Sequence, residues 1–253
     1  MFTGAGVSTE SGIPDFRSPG GVWTRYDPRQ LTFDRYVASA EVRAQSWAMR
    51  REFFAADPRP NPAHHAIARL ETAGRGLGVV TQNIDGLHQA AGSREVVELH
   101  GTARQVMCIG IAPTAGIPDG CGFRTDTTWA FAEIDAGDPD PACPGCGGLV
   151  KSATVSFGQA MPDRALTRAG ELTAKADLVV AVGSSLQVYP AADLPAAAVR
   201  AGVPLAIVND EPTPLDGIAT TVVRGRAGEI LPAGGGRRPG VRPRKSPRTG
   251  RGL

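Results

Sequence analysis

The sequence lacks any apolar run long enough to span a bilayer, and no basic segment followed by an apolar stretch precedes its first motif. We therefore expect no membrane contact and a cytoplasmic location. The composition also excludes a wholly disordered chain, because 42% of the 253 residues are hydrophobic. This size and apolar share predict one large α/β domain, alone or with a small appended module.

The end of the chain lacks acidic residues. Residues 237–253 hold seven Arg or Lys and no Asp or Glu, which leaves 20 basic against 25 acidic residues elsewhere, a net charge of −5. Because this end is also rich in Pro and Gly, we expect residues 233–253 to form a disordered basic tail. Two interpretations stay open: weak contact with nucleic acid or anionic surfaces, or a solubilising extension.

The opening segment MFTGAGVSTESGIPDFR contains a glycine-rich turn but lacks the last glycine of a dinucleotide fingerprint, since Thr9 stands there. Gly4 and Gly6 would let the backbone approach a pyrophosphate, and the N–H groups of a helix beginning after Gly6 would face that anion. Such short patterns are common by chance. Taken alone, the segment fits a phosphate cradle or an ordinary tight turn.

Apolar runs of strand length recur, each followed by small or polar residues: Leu77 to Val80, Leu178 to Val182 and Leu205 to Val208. Helical patterns lie at Asn61 to Leu70, Asp163 to Ala176 and Ala191 to Ala201. This alternation predicts an α/β fold, a Rossmann-like doubly wound parallel sheet whose ligands collect beyond the carboxyl ends of the strands. The stretch from Gly101 to Val150 looks irregular, and we interpret it as an inserted zinc-binding module.

All four cysteines lie in that inserted stretch. Cys143 and Cys146 form a C-x2-C knuckle with glycines around the second sulfur, and Cys108 and Cys121 could complete a tetrahedral zinc site. A redox pair or free thiols are the alternatives, and the C-x12-C spacing of the first two cysteines is loose for a zinc knuckle. Four thiolates would make a closed, structural site with no position for chemistry.

Several motifs come together in one order: GAGVSTESGIPDFR, TQNIDGLH, LHG, the paired cysteines, SATVSFG, GSSLQVYPA and Val208-Asn209. In this the chain resembles the sirtuins, the NAD-dependent protein deacylases, from Thr3 to Pro232. The resemblance implies a Rossmann-type NAD-binding domain formed by residues 1–20, 62–103 and 152–232. It implies a small helical and zinc-binding module formed by residues 21–61 and 104–151.

The resemblance also implies a chemistry and its residues. In sirtuins the acyl-lysine oxygen attacks the nicotinamide ribose of NAD, nicotinamide leaves, and a histidine acts as base. His100 matches that base, and Asn83 and Asp85 match the nicotinamide and ribose contacts. Standing alone, His100 would be a hydrogen-bonded histidine at a strand end, and the Asn and Asp could merely shape a turn. His64, His65 and His88 have weaker claims. His64 and His65 lie on a predicted helix and are expected to be surface or packing residues.

The remaining cofactor contacts implied by the resemblance are Gly4, Ala5, Gly6, Asp15, Phe16, Arg17, Gln82, Ile84, Gly183, Ser184, Ser185, Asn209 and Ala227. One structural zinc and acyl-lysine protein substrates are implied as well. Phe16 would shield the reaction from water.

Substrate recognition is expected at two places. Val155, Phe157 and Gly158 match the strand edge on which the substrate peptide adds as a strand. Trp47 and Arg50 align with the Tyr and Arg by which some sirtuins bind acidic acyl groups. Packing against the domain is an equally good interpretation of this pair. Deacetylation is the default prediction.

Two departures from the sirtuin pattern leave other functions open. Only Met1 and Phe2 precede Thr3, so most of the first strand is absent; we expect either a start at an internal methionine or a less stable sheet. The stretch from Gly110 to Gly120 is an insertion before Cys121. ADP-ribosyl transfer to protein and a catalytically impaired NAD-binding module are the alternatives, although retention of His100 argues for deacylation. A dehydrogenase fits poorly, because no acidic residue about 20 positions after the glycines ends a second strand.

Overall fold

The computed structural model describes residues 1–16, 19–27, 29, 32–113 and 120–233. Arg17 and the predicted tail beyond Ala233 therefore lie outside the described residues. The strands are β1 (Phe2–Thr3), β2 (Val79–Thr81), β3 (Val96–Glu98), β4 (Gly101–Gly110), β5 (Arg124–Asp126), β6 (Leu149–Thr154), β7 (Val179–Val182), β8 (Leu205–Val208) and β9 (Thr221–Val223). A six-stranded parallel sheet has the order β3-β2-β1-β7-β8-β9, which confirms the predicted parallel sheet.

The helices are α1 (Val22–Arg25), α2 (Phe33–Ala38), α3 (Ala40–Ala55), α4 (Pro62–Thr72), α5 (Leu87–Ala90), α6 (Thr127–Asp135), α7 (Asp163–Ala174), α8 (Asp193–Arg200) and α9 (Ala227–Ala233). The Asn61 side chain caps α4 by accepting from the Ala63 amide at 2.9 Å, and His64 accepts from the Asn61 amide to complete a capping box. Within the described ranges, no helix is both long and apolar enough to cross a membrane.

Hydrophobic side chains cover both faces of the large sheet. Adjacent strand residues point to opposite faces, so Val80 packs in one buried cluster and its neighbour Val79 in another. The first cluster includes Ala169 and Leu172 of α7, and the second includes Ile67 of α4. Helices therefore bury both faces, as a doubly wound fold requires.

The two residues of β1 lie at the centre of this sheet. Phe2 pairs with Val80 of β2 and Ala181 of β7, and Thr3 is the next rung of both ladders. Chain order runs outward in both directions from β1 and β7, which makes their carboxyl ends a topological switch point. Ligands of such sheets bind there.

Within its described residues, the stretch from Gly101 to Val150 contains regular strands and a helix, which corrects the sequence interpretation of it as irregular. It contains the ten-residue β4, with β5 and β6 on either side in an antiparallel sheet, and α6. Trp47 of α3 packs on this sheet in a buried cluster with Val106 and Val150. Periodicity missed β4 because two register shifts interrupt its pairing with β6.

Candidate active site

A buried polar cluster lies just beyond the carboxyl end of β2. The Asp85 carboxylate accepts from the Ser8 hydroxyl at 2.7 Å, from the Asn83 side-chain amide at 3.3 Å and from the Leu87 amide at 2.9 Å. The Asn83 amide also donates to the Ser8 hydroxyl at 3.0 Å. Asp85 is 4% and Asn83 9% exposed. The structure thus brings two of the predicted catalytic residues together and adds Ser8, which the sequence argument did not single out.

Threonine hydroxyl groups at the ends of β1 and β2 connect this cluster to the large sheet. The Asn83 backbone amide donates to the Thr81 hydroxyl at 3.0 Å, which lies 2.8 Å from the Thr3 hydroxyl. The Thr3 hydroxyl lies 2.9 Å from Nε2 of His88. All these side chains are buried, so the chain of bonds fixes the backbone of Asn83 to the ends of β1 and β2.

Two buried histidines lie behind the cluster. His64 and His88 are 0% and 1% exposed, with ring centroids 4.9 Å apart, and Nε2 of His64 lies 3.4 Å from the Ser8 hydroxyl. Burial lowers the pKa of His64 to about 4 and that of His88 to about 3. Both rings are therefore neutral at pH 7, and both pack within the fold, whereas His65 is exposed.

His100 follows β3 and faces the turn after β2. Its Nδ1 lies 3.0 Å from the carbonyl oxygen of Gln82. Because a carbonyl can only accept, Nδ1 must carry the hydrogen, and Nε2 then keeps its lone pair. Burial lowers the pKa of this half-buried imidazole, against a smaller opposing effect of the Gln82 bond. His100 is therefore a neutral imidazole with one basic nitrogen available at pH 7.

The turn after β7 carries further predicted contacts. The Ser184 hydroxyl accepts from the side-chain amide of Gln82 at 2.7 Å and from the Leu186 amide at 3.2 Å. Ser185 follows it and is partly exposed. Ser184 and Gln82 thus connect the carboxyl end of β7 with the turn that bonds His100.

The glycine-rich segment is a close crossing of two turns. A Cβ on Gly4 would lie 2.8 Å from that of Ser184, and one on Gly6 would lie 2.9 Å from the Cα of Gly183. The Gly6 amide donates to the Gly183 carbonyl at 2.8 Å, so this amide is bonded within the protein. The segment continues as two short 3-10 turns, Ala5–Val7 and Thr9–Ser11, which corrects the expectation of a helix after Gly6. The glycines are needed here because two backbones touch.

Five other predicted cofactor contacts are Asp15, Phe16, Asn209, Ala227 and Ile84. Asp15 and Phe16 follow the 3-10 turns, and Phe16 is 41% exposed. The Asn209 side chain, after β8, donates to the Glu211 carbonyl at 2.8 Å. Ala227 is buried at the start of α9, and the carbonyl of the partly buried Ile84 accepts from the Ala103 amide.

The predicted peptide edge follows β6 and touches His100. The Val155 amide donates to the His100 carbonyl at 2.9 Å. The Phe157 carbonyl accepts from the Phe33 amide at 2.9 Å, while its ring is 49% exposed. Gly158 has a φ of +77°, a conformation that glycine adopts readily. The edge and the basic nitrogen thus lie on adjoining segments.

Trp47 is buried, and Arg50 is half-buried. Trp47 is 2% exposed among the residues of the small sheet, which favours the packing interpretation. The Arg50 guanidinium donates to the Thr154 hydroxyl at 3.2 Å, and burial lowers its pKa to about 10. Its Nε has no partner within the described residues.

The four cysteines converge at one point of the small module. Their sulfurs all lie within 4.8 Å of one another, with 3.5 Å between Cys108 and Cys146 and 3.4 Å between Cys121 and Cys143. Tetrahedral zinc with bonds of about 2.3 Å places sulfurs roughly 3.8 Å apart, so this donor set fits a structural zinc ion. Cys121, beyond the insertion, belongs to the cluster with the other three.

Comparisons with known proteins agree with this geometry. The model of the family described as "Sir2 family" matches residues 4–190. "NAD-dependent protein deacetylase 2" of Streptomyces coelicolor is 46% identical over 92% of this chain and 94% of its own length. "NAD-dependent protein deacylase 2" of Pyrobaculum aerophilum is 41% identical, covering 92% of this chain and 87% of its own.

Solved structures of Sir2 proteins are also similar to this chain. A Sir2 protein with a p53 peptide and NAD+ has a TM-score of 0.79 at 35% identity, over 92% of this chain and 89% of its own. A Sir2 variant with deacetylated p53 peptide and 3'-O-acetyl ADP-ribose has a TM-score of 0.81 at 36% identity, over 91% and 89%.

Proposed function

This chain belongs to the Sir2 family, and we propose that it removes acyl groups from protein lysines in a reaction that consumes NAD. One observation of its own structure supports this most strongly. His100 carries a basic Nε2, and its Nδ1 bonds the carbonyl oxygen of Gln82. Gln82 is next in sequence to the buried Asn83 and three residues before Asp85. A base and a polar cluster for a sugar and a carboxamide are what NAD-dependent acyl transfer needs.

The donor set at the switch point suits NAD. NAD, when bound, supplies the ADP-ribose that accepts the acyl group and loses nicotinamide as leaving group. Ser8, Asn83 and Asp85 offer a hydroxyl, a carboxamide and a carboxylate, groups that complement ribose hydroxyls and an amide. We assign Asn83 and Asp85 to binding and orientation of the nicotinamide ribose, and Gln82 and Ser184 to the neighbouring ribose and phosphate.

His100 is assigned the role of general base. Its Nδ1–H bond to Gln82 fixes the tautomer and the ring orientation, so Nε2 can take a proton from a ribose hydroxyl. The lowered pKa keeps the ring neutral at pH 7 and therefore ready to accept that proton.

Phe16 and the peptide edge complete the proposed site. We assign Phe16, with Asp15, to covering the site, which favours acyl transfer over hydrolysis because it excludes water. Val155, Phe157 and Gly158 would bind the acyl-lysine peptide through backbone hydrogen bonds. Acetyl is the proposed acyl group. Nε of the half-buried Arg50 has no hydrogen-bond partner among the described residues, which favours testing acidic acyl chains beside it. Buried Trp47 is assigned to packing.

The test of this assignment is His100→Ala, with His65→Ala as a matched control on the exposed face of α4. We expect His100→Ala to abolish NAD-dependent loss of the acetyl group from an acetyl-lysine peptide. The affinity for NAD should change less than about threefold. His65→Ala should behave as the wild type. Unchanged turnover in His100→Ala would refute the role of the base.

A further inference from the structure

Side-chain donors close the outer edge of β6. This strand lies at the edge of the small sheet, with β4 on its other side. The Tyr36 hydroxyl donates to the Val150 carbonyl at 2.6 Å, and Nζ of Lys151 donates to the carbonyls of Ser152, at 3.1 Å, and Thr154. Since successive backbone carbonyls of a strand point to opposite edges, carbonyls two residues apart point to the same edge. These carbonyls already accept hydrogen bonds from side chains, so they are not available to a strand added at this edge of β6.

The closure continues into the segment that follows β6. The side-chain oxygen of Gln159 accepts from the Ser156 amide at 3.1 Å and lies 3.5 Å from Nζ of Lys151. Lys151 and Gln159 therefore hold the backbone of residues 152–156 between them. That backbone leads directly to Val155 and Phe157, the proposed peptide edge.

The lysine of this arrangement is buried without a carboxylate. Lys151 is 2% exposed, and it forms no ion pair with an acidic side chain of the described ranges. The charged neighbour that acts on it is another cation, Arg50 of α3. Tyr36 of α2 faces Arg50, and burial raises the pKa of its hydroxyl, so it stays neutral. Burying a cation without a counter-ion is costly. The carbonyls of Ser152 and Thr154 and the side-chain oxygen of Gln159 must therefore stabilise the charge of Lys151 in place of a carboxylate.

We propose that Lys151 and Gln159 form a clamp that positions the strand edge on which an acyl-lysine peptide binds. Both are positioning residues, because they act through the backbone of residues 152–156. The inference rests on the proposed function, which supplies the peptide.

The clamp should depend on pH. Burial, with the repulsion of Arg50, lowers the pKa of Lys151 to about 7. Below this pH the ammonium holds its carbonyls through charge-assisted bonds, and above it the neutral amine holds them more weakly. Peptide affinity should therefore fall as the pH rises from about 6 to about 8.5.

The first test measures the Kd of a fluorescent acetyl-lysine peptide for the full chain without NAD, so that no chemistry takes part. We expect Lys151→Met to weaken peptide binding about tenfold and to remove its pH dependence, while the KM for NAD stays within about twofold. Lys175→Met, at the exposed end of α7, is the matched control and should bind as the wild type. If His100 caused the pH dependence, Lys151→Met would retain it.

Gln159→Glu tests the clamp without removing the lysine. A carboxylate at this position keeps the acceptor for Ser156 and places a negative charge about 3.5 Å from Nζ, which raises the pKa of Lys151. The fall in peptide affinity should then move to higher pH by about one unit or more. Unchanged affinity in Lys151→Met, or an unchanged pH profile in Gln159→Glu, would overturn the clamp alone. A wild-type chain that neither binds nor deacylates the peptide would overturn the proposed function with it.

Discussion

Acidification should destabilise this protein through two buried histidines. His64 and His88 have pKa values of about 4 and about 3 in the fold, because burial opposes their charged form. In the unfolded chain both titrate near 6.5. Between these values the unfolded state binds more protons than the native state, so the free energy of unfolding falls as the pH falls. Each histidine contributes roughly 1.4 kcal/mol per pH unit below 6.5, which gives about 2 kcal/mol each between pH 7 and pH 5.

The assay is urea unfolding at pH 7 and pH 5 of the wild type and of two variants. His88→Gln removes one titrating ring and should reduce the acid-induced loss of stability by about 2 kcal/mol. His65→Gln, on the exposed side of α4, should leave that loss unchanged. The reasoning is refuted if His88→Gln and the wild type lose equal stability on acidification.

Three further predictions concern the zinc module, the backbone beside His100 and helix α7. Purified protein should contain about one zinc per chain, and Cys143→Ser should lose the metal and lower the Tm; a folded, active protein without metal would contradict the tetrathiolate site. Gly101→Ala should cost about 4 kcal/mol or more, or prevent folding, because its φ is +70° and a Cβ would lie 2.1 Å from the Ala153 carbonyl oxygen. Gly170→Ala, in α7 with open space around it, should instead stabilise by up to about 1 kcal/mol in thermal or urea unfolding.

Local signals predicted much of the large sheet. The apolar runs ending at Val80, Val182 and Val208 became β2, β7 and β8, because buried parallel strands need continuous apolar residues. The sequence Asn61-Pro62 also predicted the start of α4, since capping is a local property. The motif order then identified the sirtuin family, which the comparisons confirm.

The parts that the sequence did not predict depend on contacts distant along the chain. Ser8 joins the Asn83 and Asp85 cluster through bonds spanning 75 and 77 residues, and nothing local marks a serine for such a role. His64 sits in an ordinary helical pattern, yet it is buried against the 3-10 turns. Lys151 would be expected at the surface, because burial of a lysine is rare and depends on acceptors that the fold assembles.

The most direct test of the account is mass spectrometry of an acetyl-lysine peptide incubated with the protein, with and without NAD. The account predicts loss of the acetyl group only with NAD, together with nicotinamide and an acetylated ADP-ribose. An unchanged peptide in the presence of NAD, or a peptide that gains ADP-ribose and keeps its acetyl group, would contradict it.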